Sequence, residues 1–173
     1  WQYSTNGGGV WVDGTLPGSG SSASLSLSGD GAKSVIIRQT DIAGNTSSSS
    51  PPFTFTLDTT APTIAITTPI SGGYINNAED ESALTITGTT TGVENGQVVT
   101  VGTKSHTAVV SNNAFTVSVP SSDLKAQSIG TVNVTASVSD AAGNPASQAS
   151  ASYVYDITPP TATFNAIADD YMI

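Results

Sequence analysis

Cysteine is absent from this 173-residue chain, so neither a disulfide nor a thiolate metal site can staple it. Basic residues are almost as scarce. Lys33, Arg38, Lys104 and Lys125 stand against 13 acids, for a net charge of −9. A phosphate backbone needs a basic footprint, so nucleic acid is excluded as a partner. There is a single histidine, His106, which leaves little for zinc or copper to bind. No apolar run reaches the roughly 20 residues of a membrane helix, and no membrane insertion is expected in this segment. Charged residues are only 10% of the chain and aromatics 6%. Even so, the β-branched residues fall in alternating runs that can bury one face, which disordered chains lack.

What the chain does have is repetition. Asp41-Ile-Ala-Gly-Asn45, a short strand-like run and Asp58-Thr-Thr-Ala-Pro62 recur as Asp140-Ala-Ala-Gly-Asn144, another such run and Asp156-Ile-Thr-Pro-Pro160. A period of about a hundred residues signals an array of small domains. The expected division is 1–57 as the back part of one unit, 58–155 as a complete unit, and 156–173 as a linker and the first strand of a third.

Within the complete unit, period-2 patterning predicts strands at 63–68, 83–90, 97–103, 106–110, 114–119, 131–139 and 147–155. Val132, Val134, Ala136 and Val138 share one face, as a half-buried antiparallel strand requires. The stretch 121–127 reads as a single helical turn. Seven short strands in about a hundred residues predict an all-β, Ig-like antiparallel sandwich of Greek-key type, present in tandem. In the partial unit, 34–39 and 53–57 match the last two strands. Residues 1–4 and 9–12 form a hairpin across Asn6-Gly7-Gly8, and no residues remain for two opening strands. Trp1 and Trp11 are expected in the core, and His106 on a solvent-facing strand surface.

This topology predicts where the acids land. The loop carrying Glu94, the final hairpin loop with Asp140, and Asp58 in the connector are expected at one pole; Asn76–Glu81 and Asp156 belong to the other. Like charges at close range repel unless a cation lies between them. Oxygen-only donors point to Ca2+, which takes about 6–8 oxygen ligands. The expected ligands are Asp41, Asp58, Glu79, Glu94, Asp140 and Asp156. Each has a plainer reading: Asp, Gly and Asn are ordinary turn residues, and acids deter edge pairing. Recurrence of the whole set favours the metal. The connectors Ala61-Pro62 and Pro159-Pro160 favour a short, stiff link over a flexible coil.

Asp58-Thr-Thr-Ala-Pro62, Ile75-Asn-Asn-Ala-Glu79, Leu84-Thr-Ile-Thr-Gly88, Val93-Glu-Asn-Gly96 and Val138-Ser-Asp-Ala-Ala-Gly-Asn144 together resemble the bacterial Ig-like (BIg) repeats of giant cell-surface adhesins, including the calcium-dependent repeats-in-toxin type. The resemblance implies an extender that holds an adhesive tip away from the bacterial surface, in adhesion or biofilm formation. It also implies type I secretion, an extracellular location, calcium at the junctions and neighbouring Ig-like repeats as partners. The alternative is a glycan- or host-surface-binding Ig-like module. No enzyme is expected: a Ser-His-Asp set drawn around His106 lacks any activated-serine motif.

Overall fold

The structure is a computed structural model describing residues 1–14, 24–68, 73–102 and 104–164. The chain divides into two units, Trp1–Thr60 and Ala61–Ile173.

In the first unit the described strands form one antiparallel sheet of order β2-β1-β3-β4. These are β1 (Gln2–Ser4), β2 (Val12–Asp13), β3 (Gly31–Arg38) and β4 (Phe53–Leu57). The hairpin β1–β2 pairs Tyr3 with Val12. Its turn needs Gly7 and Gly8 at φ 71° and 95°, left-handed values that favour glycine. The buried Ser4 hydroxyl accepts the Gly8 N–H at 2.9 Å, and Asn6 Oδ1 accepts that of Val10 at 2.8 Å. Trp1 and Trp11 are half-buried rather than enclosed. Arg38 lies 4.1 Å from the Trp11 ring centroid, a cation–π contact that keeps that indole near the surface. Ile37 and Phe53 of this sheet are 49% and 69% exposed.

The second unit is an Ig-like sandwich. One sheet has the order β10-β7-β5, with β5 (Thr63–Thr68), β7 (Leu84–Thr91) and β10 (Ala114–Val119). The other has the order β6-β12-β11-β8-β9, with β6 (Tyr74–Ile75), β8 (Val98–Val101), β9 (His106–Val109), β11 (Gly130–Ser137) and β12 (Ala149–Tyr155). Alternation puts Phe115, Val117 and Val119 inward from β10, and Val134 and Ala136 inward from β11. They close on Ile86, Val99, Val101, Tyr153 and Tyr155 in one core. Gly88 pairs across the sheet with Phe115, whose ring occupies the space a side chain would need.

The expected strands appear with ends moved by a few residues. The β6 strand is an addition. It is two residues long and pairs parallel to β12, too short for any period to announce it. Helix α1 (Ser121–Lys125) forms where one turn was expected, with Leu124 buried beneath it. Residues 165–173, expected to continue the opening strand of a third unit, lie outside the described residues, and 156–164 carries no strand.

Candidate functional site: the acidic loops

The recurring pentapeptide folds the same way in both units. Asp41 N–H donates to the Asn45 carbonyl at 2.9 Å, and Gly44 N–H donates to the Asp41 carbonyl at 3.1 Å. The Asp41 carboxylate accepts Asn45 N–H at 2.8 Å and Asn45 Nδ2–H at 2.9 Å. Asp140 and Asn144 repeat all four bonds at 3.1, 3.2, 2.8 and 2.9 Å. Isolated bridges Thr40–Thr46 and Ser139–Pro145 close the two loops alike. Asp therefore fixes the loop by gripping the Asn four residues on, and Gly supplies the positive φ between them, 92° at Gly44 and 93° at Gly143. The settings differ: Asp41 is exposed, whereas Asp140 is only 4% exposed.

That difference appears in their protonation. Asp41 is held below its ordinary pKa of 3.8, first by the Asn45 side-chain amide and then by the backbone N–H groups. For Asp140 burial is the largest influence and pushes upward, but the combined bonds from Asn144, Gly143 and Ala142 outweigh it, so its carboxyl also lies low. Both are carboxylates at neutral pH.

Glu94 is exposed in the β7–β8 loop and reaches this second loop, its Oε2 accepting the Ala141 N–H at 2.8 Å. The fold thus brings together Glu94 and Asp140, 46 positions apart in sequence (140 − 94). Asp58 closes the first unit's last turn by accepting the Thr60 N–H at 3.0 Å, and Asp156 makes the same turn with Thr158 at 2.9 Å.

At the other end of the second unit, Asp156 N–H donates to the Ile75 carbonyl at 2.9 Å, setting it beside the 76–82 loop. There Asn76 Oδ1 accepts the N–H groups of Ala78 and Glu79 at 2.8 and 3.1 Å, and Glu79 Oε2 accepts the Asn76 N–H at 3.0 Å. This reciprocal pair closes the turn with the bonding of a capping box, though no helix follows, and it gives Glu79 a local task. Glu81 is taken by Lys125 at 2.7 Å, and that hydrogen bond raises the Lys125 pKa.

Two acids hold places that the sequence does not show. Asp80, expected only as one of the acids of the 76–81 loop, is 2% exposed. Its Oδ2 accepts the Tyr155 hydroxyl at 2.7 Å, and its Oδ1 is buried without a partner. Asp30 was not singled out at all. It accepts Thr59 N–H at 2.9 Å, Thr59 Oγ1–H at 2.7 Å and Thr60 Oγ1–H, and the Thr60 hydroxyl is the leading cause of its lowered pKa. Its one sequence signal is an Asp between Gly29 and Gly31, which reads equally well as any turn. His106, expected toward solvent, is half-buried with Nε2 3.2 Å from Asp123 on α1, an anchor that strand alternation could not show.

Among the described residues no group of three or more Asp, Glu or His side chains stands as a ready ligand set. The donors do fit calcium in kind. They are oxygen only, and a carboxylate oxygen that accepts one N–H keeps a further lone pair. The orphaned Asp80 Oδ1 is an additional oxygen without a donor.

The family model for the bacterial Ig-like domain (group 3) matches residues 23–112. The chain belongs to the bacterial Ig-like domain family. Among solved structures, this Ig-like chain is similar to a Ca2+-stabilised adhesin with which an Antarctic bacterium binds ice, at 26% identity, covering 73% of this chain and 32% of that one, with a TM-score of 0.44. It is similar to a bacterial immunoglobulin-like domain from the M. primoryensis ice-binding adhesin, at 27% identity over 54% of this chain and 96% of that one, TM-score 0.39. It is also similar to a tetra-tandem repeat in the extending region of a large adhesion protein, at 22% identity over 90% of this chain and 40% of that one, TM-score 0.47. The chain therefore spans about a third of the length of the ice-binding adhesin structure it matches. No curated protein matches it. No described helix is long and apolar enough to cross a membrane.

Proposed function

We propose that this Ig-like chain is an extender segment of a bacterial surface adhesin, working outside the cell as a non-enzymatic spacer stiffened by calcium. The observation that carries this reading is the duplicated acidic architecture. The Asp41 and Asp140 loops share one bonding pattern, and Asp58 and Asp156 cap identical turns at the start of each connector. Repeating a fold needs only a repeated core; repeating the placement of carboxylates at each connector needs a further reason.

Calcium supplies one. Asp41 in the first unit's loop, Asp58 and Asp156 at the connector turns, and Glu79, Glu94 and Asp140 in the second unit's loops would hold it by carboxylate oxygens, and an ion would offset repulsion between neighbouring carboxylates. The chain's own residues contribute loops already fixed by hydrogen bonds, so little ordering remains to oppose binding. A ligand bound to the ordered state alone stabilises it by RT ln(1 + [L]/Kd), about 2.7 kcal/mol at a concentration a hundred times Kd. Millimolar calcium and a Kd near 10 μM would meet that ratio. Low calcium inside the cell would leave the connectors loose for export, and millimolar calcium outside would stiffen them.

Small-angle X-ray scattering of the whole chain tests the proposal. The expected result is a longer maximum dimension in calcium than in chelator. Equal dimensions in both would reject stiffening by calcium.

A further inference from the structure

We infer that the buried hydrogen bond from Tyr155 to Asp80, together with the parallel pairing of β6 with β12, is a mechanical latch that resists unfolding of the second unit under tension. The inference requires only that the unit is pulled through its two ends, whatever stiffens the connectors.

Tension enters this unit at Ala61 and leaves at Asp156, just past β12. Because β6 runs parallel to β12, the incoming end of β6 and the outgoing end of β12 lie at opposite ends of the pair. β5 precedes β6 and is paired to β7 in the other sheet, so load reaches this pair once β5 has parted, and it then drags the two strands past each other along their axes. Bonds lying across that direction are strained together, whereas a hairpin pulled at its open end releases them one at a time. The bonds are Val154 N–H to the Gly73 carbonyl at 2.6 Å and Asp156 N–H to the Ile75 carbonyl at 2.9 Å.

Two backbone bonds make a short ladder, and the side-chain bond extends it. Asp80 lies five residues past Ile75, so the 2.7 Å contact from the Tyr155 hydroxyl ties the loop beyond β6 to the last residue of β12. Ile75, Asp80 and Tyr155 are each 2% exposed, so water is not at hand to replace a bond as it breaks. Asp80 Oδ1 has no partner, so losing the tyrosine strands both carboxylate oxygens in the interior. The hydrogen bond to Asp80, followed by burial, holds the Tyr155 hydroxyl at a pKa of about 12, so the donor keeps its proton under physiological conditions. The neighbouring Lys125–Glu81 pair is largely exposed and adds little.

Single-molecule pulling on tandem copies of the full chain, in calcium and in chelator, tests this. The second unit identifies itself by releasing 95 residues (61 to 155), roughly 340 Å at ~3.6 Å each. Tyr155→Phe should raise its unfolding rate at fixed force about tenfold, in either solution. Asp80→Asn keeps the shape and an acceptor but loses the charge, and should fall between wild type and Tyr155→Phe. Val117→Ala, on β10 in the other sheet, should lower equilibrium stability yet leave the forced rate nearly unchanged, because its contacts persist when the latch breaks. The double variant Asp80→Asn/Tyr155→Phe removes the stranded charge and serves if Tyr155→Phe does not fold. Wild-type rates under load in the tyrosine variants, equal acceleration by Val117→Ala, or resistance that disappears with chelator alone would each overturn the latch.

Discussion

Gly88 should be among the least replaceable positions in the second unit. A Cβ built there would lie 2.2 Å from Phe115 Cζ and 2.3 Å from the Ala65 carbonyl oxygen. Carbon atoms settle at about 3.5–4.0 Å, so the ring must retreat by more than ~1 Å. The ring is flanked by packed core, and the carbonyl belongs to β5 where Ala65 pairs with Thr89, so neither can yield without disturbing a sheet. Forcing a methyl into a packed interior costs about 1–3 kcal/mol. For a domain of this size each kcal/mol lowers Tm by roughly 4–8 °C, so Gly88→Ala should lose about 5–20 °C. Scanning calorimetry of the full chain is the assay, since both tryptophans lie at positions 1 and 11 in the first unit. Adding Phe115→Leu should recover part of the loss by clearing the ring, but not the part due to the Ala65 carbonyl. A Gly88→Ala chain melting within about a degree of wild type would refute the packing argument.

Leu124→Ala, which empties the socket under α1, should cost about 2–5 kcal/mol by urea unfolding, whereas Asp123→Ala, breaking part-exposed contacts with both Lys104 and His106, should cost less, about 1 kcal/mol. Asp140→Ala should depress Tm more than Asp41→Ala, because the same loop grip is buried in one unit and exposed in the other. Carboxyl NMR titration should place Asp30, Asp41 and Asp140 below 3.8. Their lowered pKa values mean the stability they supply is complete above the unfolded value and is lost as pH falls through the folded one, so acid unfolding should set in below about pH 4.

The sandwich was legible because alternation is a strong signal along strands such as Ala114–Val119, where each inward residue is a large apolar one and each outward one is small or polar. The recurring loop was legible because Asp, Gly and Asn do their work within five residues. What the chain alone concealed depends on distant partners. Asp80 reads as one of three loop acids, and only the arrival of Tyr155, 75 positions later, shows that it is buried. Glu79 and Asp80 are adjacent and alike in charge, yet one closes a turn in solvent and the other ties a core. Asp30 bonds residues 29 and 30 positions away, beyond any local pattern. The ring over Gly88 is concealed in the same way, since glycine in a strand announces only that something comes close.

A crystal grown in calcium, with anomalous scattering collected at the acidic loops, bears most directly on the proposal that these carboxylates hold metal and stiffen the chain. Density is expected at about 2.3–2.6 Å from carboxylate oxygens of Asp58 and of Asp140. Carboxylates that keep only their present bonds to loop amides, in a crystal saturated with the ion, would contradict it.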